Sequence, residues 1–453
     1  MRTALLFLWY YGASAYGVIN PLFGTLLFLH MLILRPEYLV WGNPVFGRVY
    51  LAAFACAAFG SLMGGRPTAE EIDARWSRRA LWILAALVVW AGLVSLDAES
   101  SARVSLDRTV DLAKIWLLCW LISRTIVTRA RIGAYVMVVA GSYGVLALWG
   151  IVQGTAGNRR LDDLAMGGSN YLAAQLVLVV PICVTMVLDN RRPLLHRIAL
   201  LTGSLLIVSC LLYTGSRGGY VGLGIALSAL TVMVGSRFLV RFVAIAIVSA
   251  VVVVPLSPDW VSERLGSILV TEEERDASAA SRTALWQIAV EMWKAHPLTG
   301  VGLHNFPMAK EHLGVAFGAL DSEVEDLIFG QQRMPHSLYF GLLAEAGAIG
   351  LALYCWFVGR AIWARAGPPG AAADEGLTLI ARGARAGMLG FAGAALFGDF
   401  QYLELLYAQV MLIGAIHGAA AFSRSVDVNV GVGSDGASKP PVRSRQLHRL
   451  RPE

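Results

Sequence analysis

The sequence carries little charge. Asp, Glu, Lys and Arg make up 15% of its 453 residues, whereas soluble globular proteins carry roughly 25%. Hydrophobic residues account for 57%. They are gathered into runs of about 17–23 residues, and a helix of that length crosses a hydrocarbon core of about 30 Å. The composition therefore predicts an all-α polytopic membrane protein.

Cysteine is also scarce, and several common motifs are missing. The long polar segment 257–335 has no cysteine, so a disulfide framework or a zinc site is not expected there. No Gly-x-Ser-x-Gly elbow occurs, and no Walker lysine follows the glycine-containing turn at 300–306. The acidic residues of the long segment have no histidine at ligand spacing. We therefore expect no metal ion and no cofactor.

Twelve membrane spans are predicted from the apolar runs. The first run is long for one helix, and Gly17 or the Asn20-Pro21 pair can break it into two short helices or kink it. The one large loop lies between spans nine and ten. The predicted spans are 4–34, 46–63, 80–96, 109–127, 132–152, 169–188, 197–214, 218–235, 238–256, 336–358, 383–398 and 401–422.

The arginine distribution orients these spans. Every second loop is arginine-rich, as is the C-terminal tail, and positive residues concentrate on the cytoplasmic side. The chain then divides into transmembrane helices one to nine (1–256), an external loop with an amphipathic helix (257–335), helices ten to twelve (336–422) and a disordered cytoplasmic tail (423–453). The net charge of +6 follows from this topology, and no nucleic acid is expected as a partner.

Arginines on the external side depart from this pattern. Arg160 lies in the 153–168 loop, either as part of a solvated pair balanced by nearby aspartates or as part of an anion site. Arg217 lies between glycines where two spans join with almost no loop, so the backbone can approach a ligand closely. Arginine forks onto phosphate oxygens with two parallel hydrogen bonds. The alternative for Arg217 is a side chain that anchors a helix end at the membrane surface.

The long loop contains a predicted amphipathic helix at 278–295. Arg282 lies one turn before Trp286 on this helix, so both can face the membrane surface. A purely structural role for Arg282 is the alternative. The predicted external histidines are His304, His312 and His336.

His336 is the best placed of these histidines, because the polar loop meets an apolar span there. A neutral imidazole near pH 7 can accept a proton from a hydroxyl; a capping or interfacial histidine is the alternative. Glu345, inside the following span, is interpreted as a buried structural partner. External arginines and one base at a lipid surface suit inverting glycosyl transfer from a polyprenyl-pyrophosphate donor, because the arginines can stabilise charge developing on the pyrophosphate.

The same residues carry a family resemblance, in this order along the chain. Ser216-Arg217-Gly218-Gly219, Arg282 to Trp286, Pro297 to Phe306 and Pro335 to Gly347 resemble motifs of the O-antigen ligase and polymerase superfamily. Asp276-Ala-Ser-Ala and His336-Ser-Leu-Tyr-Phe are most similar to exosortase-associated O-glycosylation ligases.

The resemblance implies a bacterial inner-membrane fold of about twelve transmembrane helices, with a periplasmic lid loop between spans nine and ten. It implies that Arg217 and Arg282 contact the pyrophosphate of an undecaprenyl-pyrophosphate-linked glycan donor and that His336 is the base. Arg160 is a looser match to an arginine of the family. His304 is an addition to the family pattern and can participate, and Asp399 can orient a catalytic group.

Three functions are considered. The first is a metal-independent glycan ligase that transfers the donor's oligosaccharide or polysaccharide to a lipid, protein or glycan acceptor. The second is a polysaccharide polymerase, in which the acceptor is another lipid-linked repeat. The third is a transporter of lipid-linked glycans, which predicts charges inside several spans and an internal repeat. Few deep charges and a lid-sized loop favour an enzyme.

Overall fold

The computed structural model describes residues 2–38, 47–64, 75–98, 100–157, 168–235, 240, 277–312, 333–364 and 374–435. These segments form fourteen α-helices and contain no β-strand. Short 3-10 helices lie at Pro36–Tyr38 and Ala395–Phe397. The α-helices are α1 (Arg2–Ile19), α2 (Pro21–Leu34), α3 (Gly47–Met63), α4 (Arg75–Leu96), α5 (Ala102–Thr125), α6 (Arg129–Gly157), α7 (Ser169–Leu188), α8 (Leu194–Tyr213), α9 (Arg217–Val234), α10 (Ala277–Ala295), α11 (Phe306–His312), α12 (Leu338–Ile362), α13 (Glu375–Ala394) and α14 (Glu404–Asp435).

Among these described helices, α4, α6, α7, α8, α9 and α12 are each long and apolar enough to cross a membrane. Shorter apolar helices lie at Ala4–Ile19, Pro21–Leu34, Gly47–Met63 and Glu404–Ala419. The architecture confirms the predicted all-α polytopic membrane protein, while the number of spans stays a prediction. The predicted span 238–256, apart from residue 240, lies outside the described residues, as do residues 257–276 and 313–332 of the predicted loop.

The first apolar run is broken at Asn20. Its side-chain oxygen accepts a hydrogen bond from the amide of Phe23 at 3.1 Å, which caps α2, and Pro21 occupies the first turn. A Cβ added to Gly17 would lie 3.1 Å from the Cα of Gly24. Positions seven apart in one continuous helix lie about 10 Å apart, since the rise is about 1.5 Å per residue. The run therefore forms two helices that fold back on each other.

Arginine-rich segments that are distant in sequence meet at one end of the bundle. Arg124, at the end of α5, donates to the carbonyl of Ser61 at the end of α3, at 3.1 Å. Arg129, at the start of α6, lies 2.6 Å from Asp374, which precedes α13. Arg191, after α7, lies 3.9 Å from the same aspartate. This meeting of the segments agrees with the predicted topology, in which every second loop is arginine-rich and all such loops lie on the same side of the membrane.

The other end of the bundle gathers the predicted external segments. Asn305 Nδ2 donates to the carbonyl of Ser101, before α5, at 3.2 Å. Ser216, before α9, donates to Asn170 at 2.7 Å. We call this the site end, because it also holds the histidine before α12. That it faces a periplasm stays a prediction.

Helix α7 lies at the centre of the bundle, and nearly all of its residues are buried. Glycines let neighbouring helices approach each other closely. A Cβ at Gly387 on α13 would lie 2.6 Å from the carbonyl oxygen of Leu178 on α7. A Cβ at Gly222 on α9 would lie 2.7 Å from the carbonyl oxygen of Gly390. The close packing of α7, α9 and α13 fixes the start of α9, where Arg217 lies.

The two C-terminal helices extend beyond their predicted spans. Helix α13 begins at Glu375 and not at 383, because Asp374 caps it by accepting from the amides of Gly376 at 2.9 Å and Leu377 at 3.4 Å. Helix α14 continues to Asp435, beyond the predicted span 401–422, and the disorder predicted for the tail 423–453 stays a prediction. Extending an existing helix costs far less than starting one. Residues 436–453 lie outside the described residues.

Candidate functional site

Helix α12 is broken at Gly347, and the break provides backbone acceptors for the turn 297–306. Gly347 has a φ of 67°, which frees carbonyls of the preceding turn from their helical partners. The amide of Val301 donates to the carbonyl of Ala344 at 2.9 Å. The amide of Gly302 donates to the carbonyl of Glu345 at 3.0 Å. The turn 297–306 is thereby attached to the broken helix.

The side chain of Glu345 holds the same turn from below. It is fully buried, and its Oε1 accepts a hydrogen bond from the amide of Phe306 at 3.3 Å. It also accepts from the amide of His304, which has a φ of 59°. A non-glycine residue rarely holds a positive φ without such support. Glu345 is buried, as predicted, and it positions His304 rather than His336; that its role is structural stays a prediction.

His336 and Asp399 form a pair at the site end. One oxygen of Asp399, Oδ2, accepts from the backbone amide of His336 at 3.1 Å and lies 3.4 Å from its Nδ1. His336 has a φ of 50°, and this double contact supports that backbone. A carboxylate at Nδ1 favours the tautomer with the proton on Nδ1, which leaves Nε2 with its lone pair. The imidazole is 41% exposed, so a substrate hydroxyl can reach it.

Helix α10 supports the segment before His336. The indole of Trp286 donates to the carbonyl of Pro335 at 2.9 Å and stacks on Phe340, with ring centroids 5.0 Å apart. Arg282 lies one turn before Trp286, on the same helix. The apolar side of α10 packs against the 297–306 turn, α11 and α12 through a buried cluster that includes Leu285, Ile288, Met292, Val301, Phe306 and Ala344.

Arg217 occupies the first turn of α9. Ser216 caps this helix by accepting from the amide of Gly219 at 3.1 Å. A Cβ at Gly218 would lie 3.0 Å from the Cβ of Phe397, two residues before Asp399. The glycine thus lets the start of α9 lie against the segment that carries Asp399.

His304 shares this environment with a residue that the sequence reasoning missed. Burial lowers the pKa of His304, the positive charge of Arg108 lowers it further, and Asp399 opposes both. The guanidinium carbon of Arg108 lies 5.8 Å from the centroid of the Tyr402 ring. The available signal was an arginine at the external end of a predicted span, against the positive-inside pattern.

The structure brings two of the predicted site residues into contact and places three others on neighbouring elements. His336 and Asp399 are in contact, and His304 lies within electrostatic range of that aspartate. Arg217 and Arg282 lie on helices whose neighbouring residues contact the segments around this pair. Arg160 lies outside the described residues. Among those described, no group of three or more His, Cys, Asp or Glu side chains is arranged to hold a metal ion.

Residues 202–355 match a family model described as O-Antigen ligase. The matched segment contains Arg217, Arg282, His304 and His336, and it ends before Asp399. No curated protein matches the chain. The match supports the superfamily resemblance and leaves the exosortase-associated subtype a prediction.

Proposed function

We propose, from the match of residues 202–355 to the O-antigen ligase family model, that the protein is an inverting glycan ligase. The family supports a ligase or polymerase function with a lipid-linked glycan donor and an acceptor in the membrane. The proposed donor is an oligosaccharide or polysaccharide on undecaprenyl pyrophosphate, and the proposed acceptor is a hydroxyl on the periplasmic face. The contact between His336 and Asp399 carries the proposal, because it joins a half-exposed imidazole to an orienting carboxylate.

The proposed reaction is one displacement at the anomeric carbon of the donor. The acceptor oxygen forms a bond to that carbon, and the bond between the carbon and the phosphate oxygen breaks. Undecaprenyl pyrophosphate leaves with the electron pair. The hydroxyl proton passes to Nε2 of His336, while Asp399 stabilises the imidazolium that forms. Attack from the face opposite the leaving group inverts the anomeric configuration.

Arg217 and Arg282 are proposed to bind the pyrophosphate. Arg217 lies at the N-terminus of α9, where backbone amides and the helix dipole also favour an anion. As the anomeric bond breaks, negative charge grows on the leaving pyrophosphate, and fixed cations stabilise it more than they stabilise the bound donor. Arg282 is assigned this role because its helix, α10, packs on the segment before His336.

Transfer by the purified protein tests this proposal. The assay uses an undecaprenyl-pyrophosphate-linked oligosaccharide and a panel of lipid, glycan and peptide acceptors in proteoliposomes. We expect the glycan on the acceptor with inverted anomeric configuration and free undecaprenyl pyrophosphate. Products that lengthen by whole repeats on undecaprenyl pyrophosphate would assign the polymerase function. Movement of intact donor across the bilayer with no new glycosidic bond would assign the transporter function.

A further inference from the structure

Arg108 lies at the site end, on a helix that is attached to the turn carrying His304. Ser101 caps α5 by accepting from the amide of Val104 at 3.4 Å. The carbonyl of Ser101 in turn accepts from Asn305, next in sequence to His304, at 3.2 Å. The first turns of α5 and the 297–306 turn are therefore fixed relative to each other.

The carboxylate that pairs with Arg108 is shared with a second cation. Nη1 of Arg108 lies 3.3 Å from Asp111, one turn along α5. The same aspartate also pairs with Lys114, at 2.9 Å. Two cations thus share one carboxylate, and among the described residues Asp111 supplies the only hydrogen-bond acceptor for the Arg108 guanidinium. The Arg108 side chain is 39% exposed, so its remaining donors can reach a ligand.

The guanidinium of Arg108 contacts Tyr402 and lies within electrostatic range of the candidate site. The guanidinium carbon lies 5.8 Å from the centroid of the Tyr402 ring, a cation–π distance that orients the side chain. Its charge acts electrostatically on His304 and on the buried Glu345. A partly exposed ion pair one turn apart on a helix contributes little to stability. Ion pairing alone therefore does not explain why an arginine stands here.

We propose that Arg108 is a third anion-binding residue of this site and contacts phosphate oxygens of the lipid-linked donor from α5. The inference rests on the proposed function, and it lies outside the segment that matches the family model. Arginine suits the role because its planar fork presents several donors to one phosphate group. The phosphate would take the donors that Asp111 leaves unused.

Kinetics of three variants in proteoliposomes test the inference: Arg108→Ala, Arg108→Lys and the matched control Lys114→Ala. Lys114 is on the same helix, pairs with the same aspartate and is more exposed than Arg108. A charge-assisted hydrogen bond lost from the site weakens binding by about ten- to a hundredfold. We expect Arg108→Ala to raise the donor KM and the inhibition constant of inorganic pyrophosphate by that factor. For Arg108→Lys, both constants should lie between those of the wild type and of Arg108→Ala. For Lys114→Ala, both should stay within about twofold of the wild type.

Several results would overturn the inference. One is an Arg108→Ala variant with wild-type donor KM and pyrophosphate inhibition; another is an equal loss in Lys114→Ala, which would assign the effect to general surface charge. Should Arg108→Ala fail to fold, Arg108→Gln keeps the side-chain length and is judged by the same two constants. If the wild type transfers no glycan, direct binding of inorganic pyrophosphate to the wild type and to Arg108→Ala still tests the anion site. Binding that is lost in Arg108→Ala would then support the anion site while the proposed function fails.

Discussion

Replacing Asp399 by asparagine removes a negative charge that lies 3.4 Å from Nδ1 of His336. At that distance two unit charges interact by about 5 kcal/mol for an effective dielectric constant of about 20. The imidazole is 41% exposed, so screening by solvent reduces this to about 2–3 kcal/mol, the range of a hydrogen bond to a charged group. The stabilisation applies only when the imidazole is charged, during proton transfer. We therefore expect Asp399→Asn to lower kcat by about 30- to 160-fold.

The donor KM should change little, because Asp399 contacts His336 and no proposed pyrophosphate ligand. The assay is the initial rate of glycan transfer in proteoliposomes at several donor concentrations, which separates kcat from KM. Asp107→Asn is the matched control, since Asp107 is an exposed acid at the same end of the bundle. A kcat for Asp399→Asn within twofold of the wild type would refute the assigned orientation of His336.

Three further predictions concern other parts of the site. Gly347→Ala should lower the melting temperature and the activity, because a side chain at this positive φ costs about 1–2 kcal/mol and collides with the carbonyl of Leu298; Gly203→Ala, which meets no atom, is the control in a thermal unfolding assay. Folding lowers the pKa of His304, because the neutral imidazole is favoured in the folded protein. The resulting stabilisation is present above an unfolded pKa of about 6.5 and is lost as the pH falls through the lower folded pKa. Melting temperatures should therefore fall less between pH 7.5 and 5 for His304→Gln than for the wild type, and parallel curves would contradict this. Arg217→Ala should raise the donor KM by about tenfold or more, and Arg217→Lys should restore only part of the loss; full restoration would indicate a simple membrane anchor.

The all-α membrane architecture was predictable because its signal is local. Run length alone identifies a membrane helix, and Asn20-Pro21 marks the break between α1 and α2. The start of α13 was not predictable from hydropathy, since Asp374 adds a polar first turn to an apolar helix. Helix ends depend on caps more than on composition.

Candidate site residues could be proposed from the sequence where one residue stood out against its surroundings. His336 was recognisable because it lies where a polar segment meets a predicted span, and Arg217 was recognisable because glycines flank it. Arg108 was missed because its significance comes from Tyr402 and His304, which are distant in sequence and adjacent only after folding. The sequence likewise suggested an orienting role for Asp399 but could not supply its contact with His336.

The central claim is that His336 is the base for glycan transfer, and His336→Ala tests it most directly. The measurement is glycan transferred by equal amounts of folded wild-type and variant protein in proteoliposomes. His296→Ala is the matched control, a second partly exposed histidine of the same predicted loop, at the end of α10. The account predicts that His336→Ala loses transfer while His296→Ala retains it. Wild-type transfer by His336→Ala would contradict the account.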